Sequence, residues 1–505
     1  MKRILSTVVA LGLAAAALVG APAQAAGKTL TLGAISPVSD WRASSGQLAN
    51  LGPYYQAVYS TLLIQKNDGR TYAPGLAAKW SYDKTQTVLT LTLRKGVKFT
   101  DGTAVDAAAV KTNLDGYSKG LASDASTATA AIDSVTAKGT DTVIIKLKYA
   151  SSPFLGYLSM TLGMMESPAQ IASADAKATP VGAGPYILDK AASVAGSSYV
   201  FNANPNYFDK ASVKFSTLVI KSISDSAAGV NAIKSGLVDA INILDMNSVA
   251  SLEASGIGFA KIYIDEVGIF FIDRAGRMGS PWKNLKVRQA VNYAVDRDAA
   301  LKVFAAGYGK TTQQEFASYN AGYVPALQNT YTRNLNKAKT LMAEAGYPDG
   351  FETTMPRFAG TPQSQVDFIS DQLAQLGIKV TWTSYATTGE LFNAMWTPKF
   401  PGYRMTLQRD ANDLQLVDFK LSRDAAWNPA GAGDATSDKL ILLAKSSTGA
   451  TQKKALQDLN RYIQAQAWTA PLIEKMTAFA YNKSKVSVAP HAGNVIPYVL
   501  EFQPK

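Results

Sequence analysis

The sequence predicts an α/β protein built from more than one lobe. Short runs in which apolar and polar residues alternate recur along the chain. Helical periodicities closed by glycine lead directly into further runs of this kind. The 505 residues, 47% hydrophobic and 17% charged, supply core for roughly three domains or two large lobes. This composition excludes disorder for most of the chain.

The elements follow in order. Leu30, Leu32 and Ala34 alternate with Thr and Gly as a first strand, and Leu89, Leu91 and Leu93 form another. Asp106 to Leu114 reads as a short helix, and the Ala/Ser/Thr-rich residues 118–139 as a surface excursion. Val143, Ile145, Leu147 and Tyr149 make a half-buried strand between Asp141 and the turn Ser151-Ser152-Pro153. Helical spacing appears at Val287, Ala290, Val291 and Ala294, ending near Gly307. It recurs at Ala338, Leu341, Met342 and Ala345, closed by Gly346. Val366, Ile369, Leu373 and Leu376 repeat it, closed by Gly377 and followed by the strand Ile378, Val380, Trp382. Leu456, Leu459 and Ile463 form a last helix. Helix, glycine cap and strand together describe a sheet covered by helices.

The N-terminus predicts export. Lys2 and Arg3 precede an apolar stretch, Leu5 to Gly20, and Ala23-Gln24-Ala25 offers the small residues that signal peptidase admits. Residues 1–25 are therefore expected to be a signal peptide. Its loss takes the formal charge from +12 to about +10. No cysteine follows for a lipid anchor, so a periplasmic or secreted protein is expected. The basic residues are scattered, which argues against nucleic-acid binding.

Catalytic patterns are incomplete. Without cysteine there is no thiol nucleophile and no disulfide, and a single histidine, His491, excludes multi-histidine metal sites. Gly307-Tyr308-Gly309-Lys310-Thr311 lacks the first glycine of a phosphate loop and reads as a helix cap and turn. Gly182-Ala183-Gly184 runs into Pro185, not into a dinucleotide-binding helix. Ser81-Tyr82-Asp83-Lys84 has no companion motif. Gly116-Tyr117-Ser118-Lys119-Gly120 follows a helix where a nucleophile elbow needs a strand. Its only base would be His491, read as a surface residue in a turn. Asp410 and Asp413 are the remaining carboxylate pair for a hydrolase.

Several blocks in order carry a resemblance: Tyr59-Ser60-Thr61-Leu62-Leu63, Pro74-Gly75-Leu76-Ala77 with Trp80, and Leu93 to Gly102. They continue with Pro180 to Tyr186, Asn204-Pro205-Asn206-Tyr207, Val287 to Arg297, and Ala338-Lys339 with Ala343 to Gly350. Together they resemble the family 5 extracellular solute-binding proteins, the dipeptide-, oligopeptide- and nickel-type receptors of ABC importers. Physically, Asp101-Gly102 is a turn needing positive φ. Gly182, Gly184 and Pro185 make a tight reversal, a crossover between lobes. Val287 to Arg297 is one amphipathic helix with Arg288 and Asp296 on its polar side.

The resemblance implies a two-lobed periplasmic-binding-protein-like fold of cluster C type, with a subdomain inserted in the N-terminal lobe. Lobe I would comprise 26–57, 178–265 and 478–505, the inserted subdomain 58–177, and lobe II 266–477. It also implies a monomer without cofactor or bound metal, which closes on a short peptide or peptide-like solute and docks on membrane permease subunits. A metal chelate, an opine or a sugar conjugate is the alternative cargo.

The resemblance likewise suggests site residues. Asp410, in Arg409-Asp410-Ala411-Asn412-Asp413-Leu414, falls on the acid that pairs with a peptide's α-ammonium, and Asp413 on a second acid. Arg357 falls near a carboxylate-binding arginine. Trp382, Trp396, Tyr403 and Trp427 are candidate cleft walls, with Trp41, Tyr54 and Tyr55 from lobe I.

Overall fold

A computed structural model describes residues 28–46, 48–117, 128–151, 153–386, 388–409, 412–492 and 494–505. Ser118, Asp410 and the expected leader lie outside the described residues. The largest sheet has nine strands. Its order is Gly402–Gln408, Ile257–Phe271, Thr469–Asn482, Ala240–Ile243, Thr29–Ala34, Thr217–Ser222, Ser198–Ala203 and Tyr186–Val194, with Gly309–Thr311 also pairing Thr469–Asn482. Thr29–Ala34 runs parallel to both of its neighbours, so its two faces are covered and Leu30 and Leu32 are buried.

Ile257–Phe271 and Thr469–Asn482 carry the chain between two cores. Ala260, Ile262, Ile264 and Phe479 pack with Leu30 and Leu32. Val267, Ile269, Phe271, Ala470, Leu472 and Ile473 pack instead with Val287, Val291 and Ile369. The pairing register slips between Ile262 and Asp265 and again between Val267 and Gly268. Such irregularities bend a strand and loosen its ladder, here where the chain passes from one core to the other.

A four-stranded antiparallel sheet, Ala77–Tyr82, Val88–Leu93, Thr142–Leu147 and Ile132–Lys138, shares the first core through Leu89, Leu91 and Ile145. The strands expected at Leu30, Leu89 and Val143 are present, as are the Gly346 and Gly377 caps at φ 86° and 71°.

Two expectations are corrected. Val287 to Arg297 is not one helix with a polar Arg288. Helix Leu285–Ala294 stops, and Asp296 caps a second helix, Arg297–Ala305, by accepting from Ala299 N at 2.9 Å. Arg288 is 5% exposed, because its guanidinium binds the carbonyls of Trp282, Gln466 and Ala467 at 2.7–3.2 Å. His491 is not a surface residue either. It is buried edge-on against Tyr498 at 4.6 Å, and burial pulls its imidazole below the usual range.

Candidate functional site

The parallel strands Phe351–Phe358 and Ile378–Tyr385 are joined by helix Gln363–Ala374, whose Val366, Ile369 and Leu373 face inward. Gly377 ends the crossover with a left-handed turn that any side chain would strain. The carboxyl ends of such strands are where α/β sheets place ligands. Here they open beside strand Gly402–Gln408 into a cavity of about 170 Å3, lined by Arg357, Trp382, Phe392, Arg404, Met405 and Thr406.

Two cations border this cavity. Arg357 Nε donates to Ser384 Oγ at 2.8 Å and Nη1 to Gln363 Oε1 at 3.1 Å. Arg404 Nη2 donates to Gln365 Oε1 at 3.0 Å, its Nε has no partner among the described residues, and its Cζ lies 4.5 Å over Phe304. Burial pulls the Arg404 guanidinium down to about 10, a cost that an anion beside it would offset. Among the described residues neither arginine meets a carboxylate; their side-chain partners are neutral. A half-buried guanidinium fork without a counterion is suited to bind a carboxylate.

The aromatic candidates separate. Trp382 lines the cavity and donates its Nε1 to Ser370 Oγ at 3.0 Å. Trp396 is half-buried, stacked on Phe392 at 5.7 Å, with its Nε1 unpartnered among the described residues. Trp427 and Tyr403 lie behind it in the core, where the Tyr403 hydroxyl donates to Trp427 O. Trp41 is 4% exposed and packs edge-on against Tyr54, Tyr199 and Phe201 inside the first core, which also holds Tyr55. These geometries are those of packing residues.

Asp413 opens the short helix Asp413–Leu416 and accepts from Gly322 N at 2.7 Å and Ala321 N at 3.1 Å. Burial pushes its carboxyl up, against these bonds. It pins the 320–323 loop. Asn412 caps the Asp413 helix by accepting from Leu414 N at 3.0 Å; Asp410 lies outside the described residues.

Arg409, Glu266, Glu474, Glu315 and Lys420, all buried, form a cluster at the strand crossing. Arg409 binds Glu266 Oε2 at 3.2 Å, Glu474 Oε1 at 2.9 Å and the Gln314 carbonyl at 2.8 Å. Lys420 meets Glu266 at 2.6 Å and also Glu315. Burial pushes both carboxyls up. At Glu266 the cations Lys420 and Arg409 outweigh it and hold the group low, while Glu315 stays high, with Glu266 adding repulsion. Sequence reasoning missed Arg404 and this cluster. Their only sequence signal was three basic residues, Arg404, Arg409 and Lys420, close together along the chain.

An α/β fold with two cores and a cavity bordered by two arginines is thus in place. The model of "Bacterial extracellular solute-binding proteins, family 5 Middle" matches residues 71–430, and the chain belongs to that family. Glutathione-binding protein GsiB of Salmonella paratyphi A is 31% identical over 312 residues, covering 58% of this chain and 57% of the relative. GsiB of Escherichia coli K12 is 30% identical over 344 residues, covering 61% and 60%. The chain thus spans less than two thirds of the length of these curated relatives. Among solved structures, Helicobacter pylori DppA in complex with the peptide STSA superposes with a TM-score of 0.83 at 21% identity, over 95% of this chain and 98% of that one. AgaA of A. tumefaciens R10 with agropinic acid gives 0.83 at 22%, over 95% and 99%. At these identities the superpositions establish the fold.

Proposed function

We propose that this chain is the extracytoplasmic receptor of an ABC importer, taking a short peptide or peptide-like solute with at least one carboxylate and passing it to membrane permease subunits. The observation that carries this reading is the pair Arg357 and Arg404 beside one cavity, with no carboxylate partner among the described residues. Family membership and relatives named for glutathione, a tripeptide with two carboxylates, support it. The lobes divide at 26–57, 178–265 and 478–505 against 266–477, with 58–177 inserted. The switch of core between Ile264 and Val267, and between Ile473 and Phe479, supports that division.

In this reading Arg357, Arg404, Trp396 and Asp410 touch solute. Asp413, Tyr403 and Trp41 hold the surrounding structure. The protein is a monomeric binder, not an enzyme: solute leaves unchanged after hinge opening. Residues 1–25 are removed on export to the periplasm or medium.

The test is mass spectrometry of the purified mature protein, native and then denatured, followed by calorimetry with glutathione and short peptides. One retained or saturably bound peptide is expected. A chelate or opine in its place would overturn the peptide assignment, and product turnover would overturn the receptor reading.

A further inference from the structure

A second cavity lies in the other core. It encloses about 270 Å3 between helix Leu48–Val58, the segment 59–67, Tyr207 and the C-terminal turn Val499–Glu501. It shares no lining residue with the Arg357–Arg404 cavity. Its floor, with Tyr59, Met164 and Tyr207, is buried. Three of the sequence blocks quoted above, at Tyr59, Pro185 and Tyr207, meet on its wall.

A buried donor on this wall lacks a partner among the described residues, and a carboxylate also lines the wall. Gln56 Oε1 accepts from Val499 N at 3.3 Å, which leaves its buried Nε2 without an acceptor. Glu501 Oε2 accepts from Tyr498 N at 2.8 Å. Its Oε1 is 3.8 Å from His491 Nε2, beyond hydrogen-bond reach. Burial pushes the Glu501 carboxyl up to about 7, so near neutral pH it exists in both forms. An unpaired buried donor costs stability until something accepts from it.

We propose that this cavity is a second small-molecule site, for a neutral amphipathic molecule with an aromatic or branched body and a carboxamide head. The amide oxygen accepts from Gln56 Nε2 and the amide N–H donates to Glu501 Oε1, a match that survives either form of the acid. A carboxylate head instead meets repulsion when Glu501 is ionised, since Lys66 stands exposed at the rim. Tyr59, Tyr207 and Met164 enclose the body. A 150 Å3 apolar cavity holds about one benzene, so this one has room for a ring and a short chain.

The test is calorimetric titration of the mature protein at pH 7 with 4-phenylbutanamide, and with 4-phenylbutanoate for comparison. One saturable site is expected, about tenfold weaker for Gln56→Leu, lost in Ile64→Trp, which fills the cavity from its half-buried rim, and unchanged in Arg404→Gln. A crystal soaked with the amide should show it beside Gln56, which keeps the test decisive if Ile64→Trp does not fold. No saturable binding at millimolar amide would overturn the proposal. So would binding lost in Arg404→Gln but kept in Ile64→Trp, and equal affinity for the carboxylate would overturn the head-group assignment.

Discussion

Glu266 and Glu474 are register partners on the two strands that cross between the cores, two buried carboxylates side by side, and the Arg409 guanidinium donates to Glu266 from Nε and to Glu474 from Nη1. Side by side without it they would repel in a medium that screens poorly. Removing one partner of a buried ion group typically costs about 3–5 kcal/mol, because the others keep their desolvation penalty. Arg409→Met should therefore lower the unfolding free energy, extrapolated to water from urea melts, by about 3–5 kcal/mol. A loss below about 1 kcal/mol would show that the carboxylates find other partners.

Glu166 makes the fold sensitive to pH. It is 2% exposed, accepts from Ala43 N at 3.1 Å, and burial pushes its carboxyl from 4.5 up to about 7. A raised carboxyl keeps its proton in the fold after the unfolded chain has lost it. Stability therefore falls as pH rises from 4.5 to about 7 and is level above that, with an upper figure of about 3 kcal/mol for this group. Melting curves from pH 5 to 8 should show the decline, and Glu166→Gln should reduce its slope. An unchanged slope would assign the decline to other groups, Glu501 first.

Gly182 and Gly184 are needed for close approach rather than for positive φ. A Cβ on Gly184 would lie 2.3 Å from Val58 C and 2.6 Å from Tyr59 N, in the span where Gly184 N donates to Val58 O. Backbone cannot yield there as a flexible side chain can, so Gly184→Ala should cost about 1–3 kcal/mol or more. Gly116, in the last turn of helix Ala107–Tyr117, meets nothing within 4 Å. Gly116→Ala should be neutral or stabilise by up to about 1 kcal/mol. Equal effects of the two substitutions on thermal stability would refute the distinction.

The α/β class and many element ends were legible because local signals decide them. Apolar alternation marked Leu89 to Leu93, and glycine marked the ends at 346 and 377. Long-range closure was not legible. Arg288 looks like a polar-face residue until the carbonyls of Gln466 and Ala467, almost 180 positions away, come beneath it. His491 looks exposed until Tyr498 folds over it. The same limit applied to the site. Arg357 was reachable by resemblance, but Arg404 joins it only because strand Gly402–Gln408 lies beside the Phe351–Phe358 pair, a relation no spacing encodes. Tyr403 and Trp396, seven residues apart, looked equivalent as aromatics, and packing gave them different surroundings.

The roles proposed for Arg404 and Asp410 lead to a test with modified peptides. If Asp410 takes the α-ammonium and Arg404 a carboxylate, each end of the solute can be tested against its own residue. N-acetylation of a bound peptide should weaken wild-type binding tenfold or more, as loss of a charge-assisted bond does, and should add little in Asp410→Asn. C-terminal amidation should behave the same way toward Arg404→Gln. Additive losses in these cycles, measured by calorimetry, would show that the paired groups do not meet. Stability should hardly change in Arg404→Gln, because that guanidinium gives up no ion pair within the described residues.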